Sequence, residues 1–280
     1  MTITYMKGYY PTRGDRMHNI KETFYDTIYL PFVEAIEKYC LISNGDQIAV
    51  CISGGKDSML MAKLFMEYRE ESKIDFQVKY LVMDPGYNEV NRKQIEYNIE
   101  LLKIPAVIFE SDIFDAVKDV DKSPCYLCAR MRRGCLYGKA KELGCNKIAL
   151  GHHYDDVNET ILMSMIYGAQ IQTMMPKLHS TNFEGMELIR PLYLIREEDI
   201  INWRDYNNLQ FIQCACRFTE NNENSEENLS KRQEVKCLIK ELKMNIPEVE
   251  NNIFNSVDNV YLDGVFSKKR EKKLLTANES

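Results

Sequence analysis

Ser53-Gly54-Gly55-Lys56-Asp57-Ser58 gathers residue types that handle phosphate, and it lies between two apolar runs, Gln47 to Ile52 and Met59 to Met66. Adjacent glycines let the backbone approach an anion. Ser53, Ser58 and the amides that open a helix can donate hydrogen bonds to it, and the helix dipole favours negative charge there. Lys56 adds a mobile positive charge. Asp57 would repel a bare phosphate, so its presence points to a Mg²⁺ held between carboxylate and phosphates. The first run has the length and β-branched content of a buried strand, and the second reads as an apolar helix. The hexad is therefore expected at a strand-to-helix turn. A plain glycine turn capped by Ser or Asp is the bland alternative. A Walker A loop is excluded, because Gly-x-x-x-x-Gly-Lys-Ser/Thr is absent.

The elements that must position this turn follow from periodicity. Apolar residues at helical spacing (Ile20, Phe24, Ile28, Phe32, Ile36) predict a helical segment over 18–40, kinked or split at Pro31. Strands are expected at 47–52, 76–83, 106–110, 146–150 and 187–190, with helices at 58–70, 89–103, 129–143, 155–167 and 196–206. That alternation predicts an α/β fold, a parallel sheet with helices on both faces. Ligands of such sheets bind beyond the carboxyl ends of the strands. Two further strand ends bring polar groups there: Asp84, and Gly151-His152-His153-Tyr154-Asp155-Asp156. An isolated Asp at a strand end is often only a turn former. Three strand ends together favour a site, with Asp57 and Asp156 near Mg²⁺ and phosphates and Asp84 and Asp155 as further candidates. Residues 218–228 read as an acidic mobile loop, 229–259 recover helical spacing, and the last dozen residues read as a tail. The expected organisation is an N-terminal helical segment over 1–40, a nucleotide domain over 41–216, and a loop, helices and basic tail over 217–280.

With 280 residues, 45% of them apolar and 28% charged, the chain can bury one large core. The N-terminus lacks a signal-peptide stretch and no run is long enough to span a bilayer, so a cytoplasmic protein without membrane contact is expected. Its nine cysteines fit a reducing compartment and metal or redox use better than a disulfide framework. A net charge of −6 gives no global attraction to nucleic acid, so RNA would have to meet local patches: Arg130, Arg132 and Arg133, then Arg13 and Arg16, then Lys268 to Lys273. Arg130, Arg133 and Tyr137 fall on one helical face, which could offer two phosphate contacts and a stacking ring. A local ion pair is the competing reading for the arginines.

Cys125-Tyr126-Leu127-Cys128 forms a C-x-x-C pair, and Cys214-Ala215-Cys216 offers further thiolates. Spacing alone leaves three readings open: a four-thiolate zinc site, a dithiol redox pair, or a cubane iron-sulfur cluster on three cysteines with one iron open. Cys40, Cys51, Cys135, Cys145 and Cys237 are expected as small core residues.

The hexad matches Ser-Gly-Gly-x-Asp-Ser, the signature of the PP-loop ATP pyrophosphatases. Further blocks agree in order: Cys125 to Tyr137, Gly144, Ala149 to Asp156, Tyr167-Gly168, Met175 to Leu178 and Ile189 to Leu192. Together they closely resemble the tRNA 2-thiocytidine synthetases, the TtcA family, over about residues 40–215. The resemblance implies a Rossmann-like fold of the HUP (adenine nucleotide alpha hydrolase-like) type. It also implies ATP bound by Ser53, Gly54, Gly55, Lys56, Asp57, Ser58, Gly151, His152, Asp155 and Asp156. Catalytic roles would fall to Asp57, Asp84, Arg132 and Asp156, with Lys56 and Arg132 on the phosphates. A 4Fe-4S cluster would sit on Cys125, Cys128 and Cys214. The reaction implied is adenylation of a cytidine carbonyl in the tRNA anticodon loop, then replacement of oxygen by sulfur. Its partners would be tRNA, a sulfur donor such as a cysteine desulfurase or free sulfide, and a second copy of the chain if it dimerises. Here Gln213 stands where the family usually has proline, and the next cysteine follows at Cys216, which leaves Cys216 as an alternative ligand and zinc as an alternative metal. Rival functions are thioamide formation on a small metabolite and a zinc-stabilised nucleotide-binding module without turnover.

Overall fold

The structure, a computed structural model, describes residues 19–116, 124–212 and 231–264. Its centre is β1 (Asp46–Ile52), whose residues sort by parity: Ile48, Val50 and Ile52 enter one core, and Ala49 and Cys51 another. Successive side chains of a strand point to opposite faces, so a strand apolar at every position from Ile48 to Ile52 must be covered on both. The first face is covered by α2 (Leu30–Lys38), α3 (Lys56–Glu71) and α8 (Glu197–Tyr206), through Phe32, Leu64, Phe65 and Trp203. The second is covered by α6 (Pro124–Glu142), through Tyr137 and Ala140. Helices on both faces are thus present as expected.

Among the described residues the sheet has six strands in the order β3-β2-β1-β4-β6-β5. The others are β2 (Phe76–Asp84), β3 (Ala106–Glu110), β4 (Lys147–Ala149), β5 (Lys177–His179) and β6 (Glu187–Ile189). After β1 the chain builds outward through α4 (Glu89–Leu102) to β3. After the short α5 (Ile113–Ala116) and α6 it returns to the other side of β1 as β4. The strand order therefore reverses between β1 and β4, which opens a crevice at their carboxyl ends.

Three expectations need correction. The sheet is not purely parallel: β5 pairs antiparallel with β6 at the edge. β5 escapes periodicity because it has three residues, two of them exposed. The cysteine helix opens at Pro124 rather than near residue 129, because proline suits a first turn, where its missing N–H would be unbonded anyway. Pro31 does not interrupt a helix but sits in the first turn of α2, after α1 (Ile20–Thr23) and a wide helical turn at Tyr25–Tyr29.

The described residues fall into two compact units, one drawn from Met1–Asp156 and Met175–Asn228 and the other from Val157–Met174 and Leu229–Ser280. In the second unit, the end of α7 (Tyr154–Gly168) meets α9 (Lys231–Asn245). Arg232 donates to Glu159 at 2.8 Å, the Tyr167 hydroxyl donates to Glu234, and Lys231 lies over the Tyr167 ring. There α10 (Val249–Ser256) is joined to α9 by Lys243 and Glu250, 2.7 Å apart. No helix among the described residues is long and apolar enough to cross a membrane. The acidic loop at 218–228, the basic tail, Arg13, Arg16, Cys214 and Cys216 lie outside the described residues.

Candidate active site

The hexad does form the turn from β1 into α3. Gly54 holds a φ of +88°, and a Cβ there would stand 2.7 Å from Ile95 Cγ1, so the tight turn needs glycine twice over. The loop is braced internally. Ser58 Oγ donates to the Gly55 carbonyl at 2.9 Å and accepts the Ser53 N–H at 3.1 Å. Ser58 is thus a brace of the loop rather than an open donor, and the exposed Ser53 hydroxyl lies 3.1 Å from Ser58 Oγ, a contact that an anion would have to replace; the amides that open α3, which a helix leaves without intrahelical partners, are the donors suited to an anion.

Gly151, after β4, closes the other wall. A Cβ at this position would meet Ser58 N at 3.1 Å and the Asp57 carbonyl carbon at 3.2 Å, so only glycine lets the two turns lie this close. Between them is a cavity of about 280 Å³ lined by the polar residues Ser53, Asp57, Ser58, Arg132, His152 and Asp156, by Gly151, and by the apolar residues Cys51, Ile52, Met83, Leu136 and Leu150. A lining of both kinds suits a nucleotide, which has both.

Asp57 and Asp156, distant in sequence, flank one imidazole: His153 Nε2 lies 3.9 Å from Asp57 Oδ1 and 3.6 Å from Asp156 Oδ2. Asp57 Oδ1 is buried, faces Lys56 Nζ at 3.0 Å and has no hydrogen bond of good geometry. Two carboxylates converging on a cavity, one of them short of a hydrogen bond, form a donor set that fits Mg²⁺. Lys56 also donates to Glu197 Oε1 at 3.1 Å. Burial would push its pKa down, but Asp57 and Glu197 outweigh that and hold it above the ordinary lysine value. Glu197 was not legible in the sequence, since nothing marks it among the acidic residues that open α8.

Two candidates are placed differently. Asp84 does not line the cavity. One of its oxygens accepts the N–H groups of Gly86 and Tyr87 at 2.8 and 2.7 Å, and the other pairs with Arg92. Asp155 is likewise spent, on Arg196 at 3.2 Å and on the Glu197 N–H at 2.7 Å, where it ties the start of α7 to the start of α8. Among the arginines, Arg132 reaches the cavity, while Arg130 and Arg133 are exposed. Tyr137 corrects the expected stacking face: it is 5% exposed and stacks instead on Phe183, with centroids 4.9 Å apart. A further cation near Tyr137, Arg190, is buried and donates to the Met175 carbonyl, and burial pushes its pKa down to about 10.

Cys125 and Cys128 both lie in the backbone of α6, three residues apart. Cys128 is buried with Met83, Ile113 and Phe114, and Met83 also lines the cavity. Cys128 is therefore adjacent to the candidate nucleotide site. The expected third cysteine, Cys214, is not among the described residues, and no group of three metal-ligating side chains occurs among them. Of the cysteines expected in the core, Cys51 and Cys145 are buried, Cys135 is half-buried, and Cys40 and Cys237 are exposed.

Residues 28–239 match the PP-loop domain family. The chain is 39% identical to a tRNA-cytidine(32) 2-sulfurtransferase of Paraburkholderia phytofirmans over 81% of its own length, and it spans 66% of that relative's length. It is 34% identical to the protein of that name in Anaeromyxobacter dehalogenans, covering 87% of this chain and 82% of the relative. Among solved structures, the U34-tRNA thiolase NcsA of Methanococcus maripaludis, with its 4Fe-4S cluster, superposes with a TM-score of 0.66 at 22% identity, over 89% of this chain and 82% of that one. That likeness is one of fold.

Proposed function

The chain belongs to the PP-loop family and, within it, to the tRNA-cytidine(32) 2-sulfurtransferases, and from that premise we propose that it uses ATP to exchange the 2-oxygen of a tRNA anticodon-loop cytidine for sulfur. The observation that carries this reading is the cavity at the β1/β4 crevice, which joins the phosphate loop, two converging carboxylates and Arg132 to the wall of the cysteine helix.

A carbonyl oxygen is a poor leaving group until it is phosphorylated. The cytidine 2-oxygen attacks the α-phosphorus of ATP, the bond to the bridging oxygen breaks, and pyrophosphate leaves. A sulfur nucleophile then adds at C2, and the oxygen departs with AMP. The residues here act on the first step. Ser53 and the first-turn amides of α3 hold phosphate oxygens, and Lys56 and Arg132 offset the charge that develops on pyrophosphate. Asp57 and Asp156 would hold Mg²⁺, which when bound would offset the negative charge of the phosphates. A 4Fe-4S cluster, when bound, supplies the sulfur-handling chemistry, and Cys125, Cys128 and Cys214 would hold it. The sulfur donor is of the cysteine desulfurase kind or free sulfide, a homodimer is compatible with the reading, and the reaction belongs in the cytoplasm with its tRNA. The shared name of the relatives disfavours the small-metabolite and zinc-module readings.

The test is chain purified without oxygen, assayed for iron, sulfide and zinc and for 2-thiocytidine in tRNA. About four irons and four sulfides per chain are expected. They should be lost in Cys125→Ala and Cys214→Ala and kept in Cys216→Ala, with 2-thiocytidine formed only when ATP is present. One zinc without iron, and no thionucleoside, would refute the reading.

A further inference from the structure

We infer that Tyr87 is a positioning residue that ties the ATP loop to the cysteine helix and presents Arg132 to the cavity. The inference rests on the adenylation reading above and adds to it a residue outside the motifs that carry that reading. The phenol oxygen donates to the Ser53 carbonyl at 3.3 Å and accepts from Arg132 Nη2 at 3.3 Å. One atom thereby joins the turn after β1 to α6.

The ring is fixed by its surroundings. Its backbone N–H is held by Asp84 at 2.7 Å, and its face meets the Phe114 ring at 73° with centroids 6.0 Å apart. It also packs against both the main core and the smaller cluster that contains Met83 and Cys128. Asp84 thus acts at one remove: it shapes the Asp84-Pro85-Gly86-Tyr87 turn that aims the phenol. Burial pushes the phenol's pKa up, so the hydroxyl keeps the proton that it donates to Ser53 across the physiological range.

An arginine reaching a cavity from a helix surface has many rotamers, and holding it costs side-chain entropy. The Tyr87 hydroxyl covers part of that cost before substrate arrives. It leaves the guanidinium's other N–H groups to meet the departing pyrophosphate, where preorganised charge counts most. Both contacts are long, as catalytic hydrogen bonds often are before substrate binds.

The test is Tyr87→Phe, which removes only the hydroxyl, alone and combined with Arg132→Ala, read by tRNA-dependent pyrophosphate release and by ATP binding. A hydrogen bond to a charged group predicts that kcat falls about tenfold or more. KM for ATP should move less than about threefold, and the melting temperature should stay near that of the wild type, since ring packing is retained. In the Arg132→Ala background the same change should cost less than about twofold, because the group that Tyr87 positions is gone. If the wild type releases no pyrophosphate, the adenylation reading falls and the inference with it. If the wild type is active while Tyr87→Phe is unchanged, or adds fully to Arg132→Ala, the tether alone is overturned.

Discussion

A carboxylate at a strand end can serve a ligand or a turn, and Asp57 and Asp84 divide those duties. Asp57 stands at the cavity, whereas Asp84 is enclosed by two backbone amides and Arg92. Burial pushes the Asp84 carboxyl up, but the Tyr87 and Gly86 amides and the Arg92 guanidinium outweigh it and hold its pKa below the ordinary carboxylate value. A folded-state pKa that is depressed stabilises the protein fully above the unfolded value, about 3.9, and that contribution disappears as pH falls through the lower folded value. Asp84→Asn should therefore cost about 1–3 kcal/mol at neutral pH, and the gap to the wild type should shrink below about pH 4. Urea midpoints across that range check this, and a gap that ignored pH would contradict it. Residue types were legible at both positions. Which aspartate faces the cavity was not, because that depends on Arg92 and on a turn whose course is set by packing against Phe114.

The elements that build the site meet at two glycines with different demands. Gly54 needs its left-handed φ, while Gly151 needs its missing Cβ because the PP-loop backbone lies 3.1 Å from where that carbon would be. Gly54→Ala should destabilise the chain by about 1–3 kcal/mol through strain, seen as a lower urea midpoint. Gly151→Ala pushes on backbone that cannot swing aside, so the loop must shift. Its ATP affinity should fall about tenfold or more, since phosphate-loop geometry is sensitive to displacements of under an ångström. Equal ATP affinity in wild type and Gly151→Ala, by calorimetry, would show that the two turns are not mutually constrained. Periodicity located the long helices and buried strands to within a few residues. It missed β5, too short to repeat, and it misplaced the start of α6, where proline and cysteine carry little periodic signal.

At the scale of the whole molecule, a net charge of −6 means that the tRNA of the proposed reaction would have to be met by a local surface. Arg130 and Arg133 are exposed on α6, beside the helix turn that carries Cys125 and Cys128. Replacing both by Glu should weaken tRNA binding and lower the slope of log affinity against log salt by about 2, with melting temperature unchanged. An unchanged slope would place the RNA elsewhere. The motif-bearing segments, the strand-and-helix alternation and the phosphate loop were written into the sequence alone, because each is a local matter of backbone freedom and of which residues repeat at period 2 or 3.6. Only the tertiary structure decided that Asp57 and Asp156 converge on His153, that Tyr137 is core rather than RNA-facing, and that Tyr87 links Ser53 to Arg132. Each of those outcomes joins residues from separate segments, and such pairings are set by how strands and helices pack, which no local pattern records.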